Sequence, residues 1–377
     1  MRKNQSILGD SAAKVCTREF LRALKKKKED KKMSKKACKY GTHRVLEPVG
    51  VLPQTAQKID NTMEIYPNEI LIDVISLNID SASFNQLKEE AGGDETKIGN
   101  KIKEIVGERG KMQNPVTGSG GMLIGEIAQI GEELDRPDLK VGDKIATLVS
   151  LSLTPLKIEE IKAIKKDIDR VDVKARAILF ESGIYAKLPD DMTEALALAA
   201  LDVAGAPAQT AKLVKPGDSV LVIGAGGKSG MLCCYEAMKR VGPTGNVVAM
   251  CRKDADRDKL LENNLCHKVI QTDISRPLEV LEKALEANGG KEFDISINVV
   301  NVPSSEMASI LPVRDGGIVY FFSMAVSFTK AALGAEGIGK DVTMIVGNGY
   351  TKDHAEITLH QLRENKALCK IFEEKYV

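Results

Sequence analysis

The stretch from Val220 to Gly230, VLVIGAGGKSG, constrains the fold of this chain more than any other segment. Its first four residues are apolar and predict a short buried strand, and Met231 to Lys239 predict a helix. The glycines between them allow a tight turn whose backbone N–H groups approach a phosphate, and the N-terminus of the helix favours an anion. Strand, turn and helix together predict a dinucleotide-binding unit, with cofactor contacts from Gly224, Gly226, Gly227, Lys228 and Ser229.

A phosphate loop that binds ATP or GTP is the competing interpretation, because Gly227-Lys228-Ser229 resembles the end of such a loop. That loop also requires an earlier glycine at the position of Val222, which lies inside the predicted strand. The sequence therefore disfavours a nucleoside triphosphatase.

Composition and charge narrow the classes of partner. The chain has 377 residues, enough for two domains, and its net charge of +1 gives no reason to expect nucleic acid. No apolar run is long enough to span a bilayer, so no membrane partner is expected. The seven cysteines form no C-x-x-C pair, which favours free thiols and a cytoplasmic location. Residues 1–32 are strongly basic and are expected to form a flexible extension, with Met33 as an alternative start.

Two patterns divide the remaining chain. Between residues 33 and 192, short strands separated by Gly and Pro turns predict a barrel-like β domain, with one charged helix inserted at Ile158 to Arg170. Between residues 193 and 348, strands and helices alternate, which predicts a doubly wound parallel sheet. The sequence thus predicts an α/β protein of two domains.

The C-terminal region is expected to return to the first domain. Val342 to Val346 predict the last strand, and His354 to Lys375 predict one long closing helix. We expect this helix to pack on the β domain, so that residues 349–377 complete that domain.

The cofactor is predicted from the residues that follow the second strand of the parallel sheet. An acidic residue there would bind the ribose hydroxyls of NAD, whereas this chain has Arg252 and Lys253. Arginine can pair with the 2′-phosphate of NADP, although Arg252 stacking on the adenine would be compatible with both cofactors. The sequence therefore predicts NADP or NAD and favours NADP. Asn301, Ser323 and Met324 follow later strands and are expected to flank the nicotinamide.

Two further motifs resemble the medium-chain dehydrogenase/reductase superfamily. They are Leu213 to Asp218, which leads into the glycine stretch, and Gly125 to Gly131 followed by Val141 to Ile145. The resemblance covers roughly residues 38 to 377 and implies a GroES-like β-rich catalytic domain beside a Rossmann domain, with cofactor and substrate in the cleft between them. It also implies a homodimer formed through the edge strand Val342 to Val346.

The chain departs from the zinc-containing members of that superfamily. Gly120-Gly121-Met122 stands where those members carry Gly-His-Glu, and Asn78-Ile79-Asp80 stands near the position of their catalytic cysteine. The four-cysteine structural lobe is missing from the sequence as well. Because zinc requires Cys, His or carboxylate ligands in tetrahedral reach, we predict a zinc-free enzyme.

A narrower resemblance rests on longer segments. Cys38 to Asn61, Asn114 to Gly131, Phe321 to Val342 and Val346 to Asn365 are similar to the L-erythro-3,5-diaminohexanoate dehydrogenase family of anaerobic lysine fermentation. The resemblance implies NAD(P)-dependent oxidative deamination of a 3-amino group, which yields 5-amino-3-oxohexanoate and ammonia.

This chemistry requires a base that takes a proton from the amine and later activates water. Asp80 is the first candidate because it lies where the zinc-containing relatives place metal-site residues, although it could equally cap a helix. The other candidate bases are Glu181, Glu126 and His43. For the substrate, Arg44 could hold the carboxylate or form an ion pair with Glu47, and the remaining candidates are the proton carrier His354 and Tyr350.

Two other functions stay open from the sequence. One is a zinc-free NADPH-dependent quinone or enoyl-thioester reductase of the same superfamily, which would need an apolar cleft and no anchor for a substrate carboxylate. The other is an inactive cofactor-binding protein with a structural or regulatory role, since dehydrogenase folds can host one.

Overall fold

The computed structural model describes residues 37–347 and 349–377, so the predicted flexible extension at residues 1–32 lies outside the described residues. The chain divides into two compact units between Lys187 and Leu188. Among the helices of the described residues, none combines the length and apolarity that a bilayer crossing requires.

The first unit contains eight strands and two α-helices among the described residues. The strands are β1 (Val45–Glu47), β2 (Lys58–Ile59), β3 (Glu69–Ile79), β4 (Gly121–Ile130), β5 (Lys144–Thr147), β6 (Leu156–Lys165), β7 (Arg170–Phe180) and β8 (Tyr185–Lys187), and the helices are α1 (Ser81–Glu90) and α2 (Glu95–Arg109). Six strands form an antiparallel sheet with the order β6-β7-β3-β4-β5-β8, and the short strands β1 and β2 pair separately. Helices α1 and α2 lie between β3 and β4 in the chain, and the apolar faces of sheet and helices share one core.

The predicted charged helix at Ile158 to Arg170 is wrong, because this segment forms most of β6 and the turn into β7. Its apolar residues Ile158, Ile161 and Ile164 recur every third position, a spacing that imitates a helix. In the structure the register of β6 against β7 shifts between Ile158 and Glu160 and again between Ile161 and Ala163. Each irregularity adds one residue to the strand, so the three isoleucines all pack against the core of the first unit.

The second unit contains a parallel sheet, as the alternation of strands and helices predicts. Its strands are β9 (Ser219–Ile223), β10 (Asn246–Cys251), β11 (Lys268–Gln271), β12 (Phe293–Asn298), β13 (Val313–Phe321) and β14 (Val342–Val346), and their order in the sheet is β11-β10-β9-β12-β13-β14. Its helices are α3 (Glu194–Leu201), α4 (Gly205–Leu213), α5 (Lys228–Val241), α6 (Asp254–Glu262), α7 (Pro277–Ala287), α8 (Glu306–Ile310), α9 (Phe328–Ile338), α10 (His354–Glu364) and α11 (Lys366–Tyr376).

Strand β9 lies in the middle of this sheet and is buried on both faces. Val220 and Val222 join the core on one face, while Leu221 and Ile223 join the core on the other. A continuous apolar run is what a central strand with two covered faces requires. The strand order reverses at β9, since β10 lies on one side of it and β12 on the other, which places the glycine turn at the topological switch point.

The predicted closing helix is corrected in two respects. It is two helices, α10 and α11, separated at Asn365, whose side chain accepts a hydrogen bond from the N–H of Leu368 and caps α11. Both helices contact α3, and α10 also contacts α4 and α5, so residues 349–377 pack within the second unit rather than on the β domain. Burial of Leu368 and Phe372 in the core that holds Val220 explains this placement.

Candidate functional site

The glycine turn after β9 has the geometry that its sequence predicts. Gly224 has a φ of +91°, and a Cβ at this position would lie 3.0 Å from the backbone nitrogen of Val300. A Cβ on Gly230 would lie 2.3 Å from the carbonyl oxygen of Gly224, so only glycine lets α5 approach the strand this closely. The turn and the first residues of α5 therefore form one compact unit.

The N-terminal end of α5 is open to an anion. Gly227 caps the helix without any side-chain hydrogen bond to the free N–H groups. A Cβ on Gly227 would come no closer than 3.7 Å to the carbonyl oxygen of Gly224, so the protein itself does not demand glycine at this position. Unsatisfied N–H groups and the positive end of the helix dipole favour a phosphate there. These residues fit the diphosphate of a dinucleotide.

The residues predicted to contact the adenosine follow the second strand of the parallel sheet. Arg252 and Lys253 are exposed and lie between the end of β10 and the start of α6. Among the residues that the structure describes, the guanidinium of Arg252 forms no hydrogen bond, whereas Asp254 pairs with Arg257 at 2.9 Å. Lys228 at the start of α5 is less accessible to a ligand because its Nζ pairs with Asp202 at 2.7 Å.

The three residues expected to flank the nicotinamide follow the carboxyl ends of β12 and β13. Asn301 is exposed after β12, and Met324 is exposed after β13. Ser323 is partly buried, and its hydroxyl accepts a hydrogen bond from the N–H of Ala325. Strands β12 and β13 are neighbours and β12 adjoins β9, so these residues and the glycine turn share one edge of the sheet.

Sequence reasoning missed three residues that contact or surround this turn. A Cβ on Gly226 would lie 2.5 Å from Oδ2 of Asp256, so this carboxylate rests directly on the turn. Lys375 donates a hydrogen bond of 2.9 Å to the carbonyl oxygen of Gly226, and the ring of Tyr376 lies 5.9 Å from Nζ of Lys228. No local pattern could reveal Lys375 and Tyr376, since they come from the far end of the chain.

In the first unit, Asp80 caps a helix, which is one of the two roles that the sequence left open. Its Oδ1 accepts hydrogen bonds of 3.1 Å from the N–H groups of Ala82 and Ser83 and thereby caps α1. Its Oδ2 is buried and has no hydrogen-bond partner among the described residues. One carboxylate oxygen is thus structural, and the other is left without a protein partner in the described part of the chain.

The surroundings of Asp80 are rich in hydroxyl groups. Ser83 is fully buried, and its Oγ lies 2.6 Å from Oγ1 of Thr117 and 2.7 Å from Oγ of Ser119. A Cβ on Gly121 would lie 2.9 Å from the nitrogen of Asp80, so the glycine segment packs closely on the end of β3. This packing fixes the backbone of Asp80.

The other candidate carboxylates do not converge on Asp80. Glu126 is exposed on β4 opposite Asp73, seven positions before Asp80, which corresponds to roughly 20 Å along the strand. Glu181 follows Phe180, the partner of Glu69 at the opposite end of β3, roughly 30 Å away. Glu181 also accepts a hydrogen bond of 2.9 Å from the side chain of Asn68. Glu126 and Glu181 therefore lie apart from Asp80, and their roles as alternative bases stay predictions.

Arg44 is buried and cannot hold a substrate carboxylate as predicted. Its guanidinium donates to both carboxylate oxygens of Glu69, at 2.7 Å and 2.6 Å, and to the backbone carbonyls of Thr62 and Glu64. Its ion pairs are formed with Glu69 at 2.6 Å and Asp60 at 3.6 Å and not with the exposed Glu47. Arg44 thus joins the start of β3 to the segment before it.

His43 belongs to the same cluster. Its Nε2 lies 2.8 Å from Oε1 of Glu69, and its ring packs edge-on against Tyr66 with centroids 4.7 Å apart. Hydrogen bonds from Arg44 and His43 outweigh the burial that opposes them and hold the pKa of Glu69 below its usual value. The cluster is therefore structural, and it lies at the end of β3 opposite Asp80.

Tyr350 and His354 lie together in the second unit, with ring centroids 5.1 Å apart. Tyr350 is half exposed, whereas His354 is buried at the first residue of α10. Burial lowers the pKa of His354 from its ordinary value, which favours the neutral imidazole. A role of either residue in substrate binding stays a prediction.

A zinc site requires a cluster of His, Cys, Asp or Glu side chains. Within residues 37–347 and 349–377, no three His, Cys, Asp or Glu side chains lie close enough to hold a metal ion. Since a zinc site needs at least three such ligands, the described residues do not fit one.

Sequence comparison identifies close relatives. The family model described as the L-erythro-3,5-diaminohexanoate dehydrogenase N-terminal domain matches residues 43–189. The L-erythro-3,5-diaminohexanoate dehydrogenase of Acetoanaerobium sticklandii is 70% identical over 343 residues, which cover 91% of this chain and 100% of that protein. The enzyme of the same name from Fusobacterium nucleatum is 67% identical over 91% of this chain and 100% of its own length.

Solved structures share the fold at low identity. A crotonyl-CoA carboxylase/reductase in complex with NADP has a TM-score of 0.51 and 16% identity, over 84% of this chain and 82% of that chain. A zinc-dependent alcohol dehydrogenase from Streptococcus pneumonia has a TM-score of 0.50 and 16% identity, over 83% and 84% of the two chains. These likenesses confirm the predicted two-domain α/β fold. On the sequence identity and coverage above, the chain belongs to the L-erythro-3,5-diaminohexanoate dehydrogenase family.

Proposed function

We propose that this chain catalyses the NAD(P)-dependent oxidative deamination of L-erythro-3,5-diaminohexanoate in anaerobic lysine fermentation. The observation that carries the proposal is the 70% identity with a dehydrogenase of that name over its complete length. The ammonium group at C3, the oxidised cofactor and one water would yield 5-amino-3-oxohexanoate, ammonium, the reduced cofactor and one proton.

Asp80 is the candidate base. When bound, a nicotinamide would supply the acceptor for the hydride from C3. Oδ2 of Asp80 would take a proton from the substrate ammonium, a role supported by its lack of a hydrogen-bond partner among the described residues. The same oxygen can afterwards orient the water that attacks the imine carbon, while Oδ1 stays bonded to Ala82 and Ser83 and fixes the carboxylate.

A nicotinamide cofactor is supported by the dehydrogenase names of the relatives and by the glycine turn. Within this class the chain would accept NADP as well as NAD, with Arg252 and Lys253 beside the 2′-phosphate. The exposed guanidinium of Arg252, which has no hydrogen-bond partner in the described part of the chain, supports this assignment. Arg252→Ala should weaken NADPH binding roughly tenfold and change NADH binding little, because only NADPH carries the extra phosphate. Equal losses for both cofactors would contradict this role.

We further propose that the reaction proceeds without zinc and that the protein is cytoplasmic. The lack of a three-ligand cluster among the described residues supports the first statement, and no step above involves a metal. The six cysteines of the described residues are free thiols, which supports a reducing compartment.

The reductase alternative is separated from the amine dehydrogenase by substrate class. Purified protein would be assayed with 3,5-diaminohexanoate and an oxidised cofactor, and in parallel with a quinone or an enoyl thioester and NADPH. We expect turnover only with the diamino acid. Turnover only with the quinone or thioester would favour the reductase, and cofactor binding without any turnover would favour an inactive binding protein.

A further inference from the structure

The last turn of α11 lies against the glycine turn. Nζ of Lys375 donates to the carbonyl oxygen of Gly226 at 2.9 Å and lies 3.2 Å from Oδ1 of Asp256. The carbonyl of Gly226 belongs to the same planar peptide group as the N–H of Gly227, which caps α5. Lys375 therefore holds one side of a peptide group at the point where a phosphate is expected, and the N–H on its other side donates to the carbonyl oxygen of Gly224 at 3.3 Å.

Asp256 places a negative charge beside the glycine turn. Its carboxylate rests on Gly226, as the 2.5 Å distance from a hypothetical Cβ to Oδ2 shows. A negative charge at this distance repels a bound anion and opposes the attraction of the N-terminus of α5. The site can hold an anionic diphosphate only where a positive charge offsets Asp256.

The neighbouring cations identify which residue offsets it. Lys228 is paired with Asp202 at 2.7 Å, and Arg257 is paired with Asp254 and Asp258. Among the described residues, Asp256 forms its ion pair with Lys375, at 3.2 Å. It is only about one-third exposed, so this pair is less screened by solvent than a fully exposed one.

Tyr376 adds an independent observation. Its ring lies 5.5 Å from Nζ of Lys375 and 5.9 Å from Nζ of Lys228, so it is close to both lysines. Its hydroxyl is buried and has no hydrogen-bond partner in the described residues. A buried polar group beside an anion-binding turn lacks the partner that a ligand oxygen would supply.

We propose that the C-terminal turn of α11 is part of the dinucleotide site and that Lys375 is its positioning residue. Lys375 offsets the charge of Asp256 and holds the Gly226 peptide, so that the turn accepts the diphosphate of the cofactor. This inference rests on the nicotinamide cofactor proposed above.

The test measures NADH and NADPH dissociation constants by fluorescence titration of the full-length protein, without substrate. Lys375→Gln should weaken binding of both cofactors roughly tenfold, because it leaves Asp256 without its counter-charge. Lys370→Gln is the matched control, since Lys370 is an exposed lysine of the same helix that pairs with Glu374. Thermal unfolding of each variant checks that the fold is intact.

A double variant identifies the mechanism. Adding Asp256→Asn to Lys375→Gln removes the uncompensated charge and should recover most of the lost affinity. Lys375→Gln with unchanged affinity, or a double variant without recovery, would overturn the inference and leave the proposed cofactor in place. Wild-type protein that binds neither NADH nor NADPH would contradict the cofactor proposal and, with it, this inference.

Discussion

At the scale of single residues, one carboxylate oxygen of Asp80 caps α1, and the other has no hydrogen-bond partner among the described residues. Asn caps a helix about as well as Asp but cannot accept the proton, so Asp80→Asn separates the two roles. We expect the variant to keep its unfolding free energy and to lose roughly 10²- to 10⁴-fold in kcat, the contribution typical of a positioned base. The measurement is steady-state turnover with saturating cofactor, beside chemical denaturation. Full activity in Asp80→Asn would remove this residue from the mechanism.

Arg44 forms an ion pair with a glutamate, as one interpretation of the sequence predicts, but the glutamate is Glu69 and not Glu47. The sequence offered Glu47 for Arg44 because the two are neighbours in the chain, whereas folding brings Arg44 to Glu69 at the start of β3. Glu69→Gln removes the closer of the two carboxylates that pair with the buried Arg44 and leaves only Asp60, at 3.6 Å, so it should lower the free energy of unfolding by about 3 kcal/mol. Glu47→Gln, at an exposed position, is the control and should change it by less than about 0.5 kcal/mol.

The same pair gives a pH dependence of stability. Because the pKa of Glu69 is lower in the folded protein than its ordinary value of 4.5, its contribution is complete above that pH. The contribution is lost as the pH falls through the lowered pKa, because the folded protein must then take up the proton at a cost. Denaturation from pH 7 down to 3 should show this loss in the wild type and a flatter profile in Glu69→Gln. Parallel profiles would contradict the assignment.

At the scale of elements, two glycines at the start of α5 are expected to differ in their roles: Gly230 is required by packing within the protein, and Gly227 by the approach of the cofactor. Gly230→Ala would place a Cβ 2.3 Å from the carbonyl oxygen of Gly224 and should destabilise the protein by about 1–3 kcal/mol through overpacking. Gly227→Ala meets no protein atom closer than 3.7 Å and should fold normally. It should nevertheless weaken cofactor binding roughly tenfold, since the Cβ would stand where the diphosphate approaches the backbone. Cofactor affinity and unfolding midpoint, measured on both variants, check this contrast; normal binding by Gly227→Ala would contradict it.

The sequence predicted the elements of the second unit better than those of the first. Strand β9 could be recognised because a continuous apolar run, a glycine turn and a helix follow one another locally. Strand β6 could not, because its irregular register gives its isoleucines the spacing of a helix. The packing of α10 and α11 was missed because an apolar helix face does not specify which sheet it will cover. Lys375 was missed because it reaches the glycine turn from the far end of the chain.

At the scale of the whole molecule, we propose a homodimer formed at β14, which is an edge strand of the parallel sheet. Apolar side chains are exposed on this strand and on the helix before it, among them Val346, Leu333 and Phe328. Leu333→Glu should convert a dimer of twice 40.9 kDa to a monomer, measured by light scattering after size-exclusion chromatography. Leu278→Glu changes an equally exposed leucine on α7 and should leave the mass unchanged. A wild-type monomer would contradict the proposal.

The central claim is that this chain removes the 3-amino group of 3,5-diaminohexanoate by hydride transfer to a nicotinamide cofactor. The most direct test supplies substrate labelled with ¹⁵N at C3 to chelator-treated protein, with NAD and with NADP in separate reactions. Reduced nicotinamide would be followed by absorbance and labelled ammonium by mass spectrometry. We predict equimolar formation of both products in the presence of the chelator. Reduction without labelled ammonium, or no reduction with either cofactor, would contradict the claim.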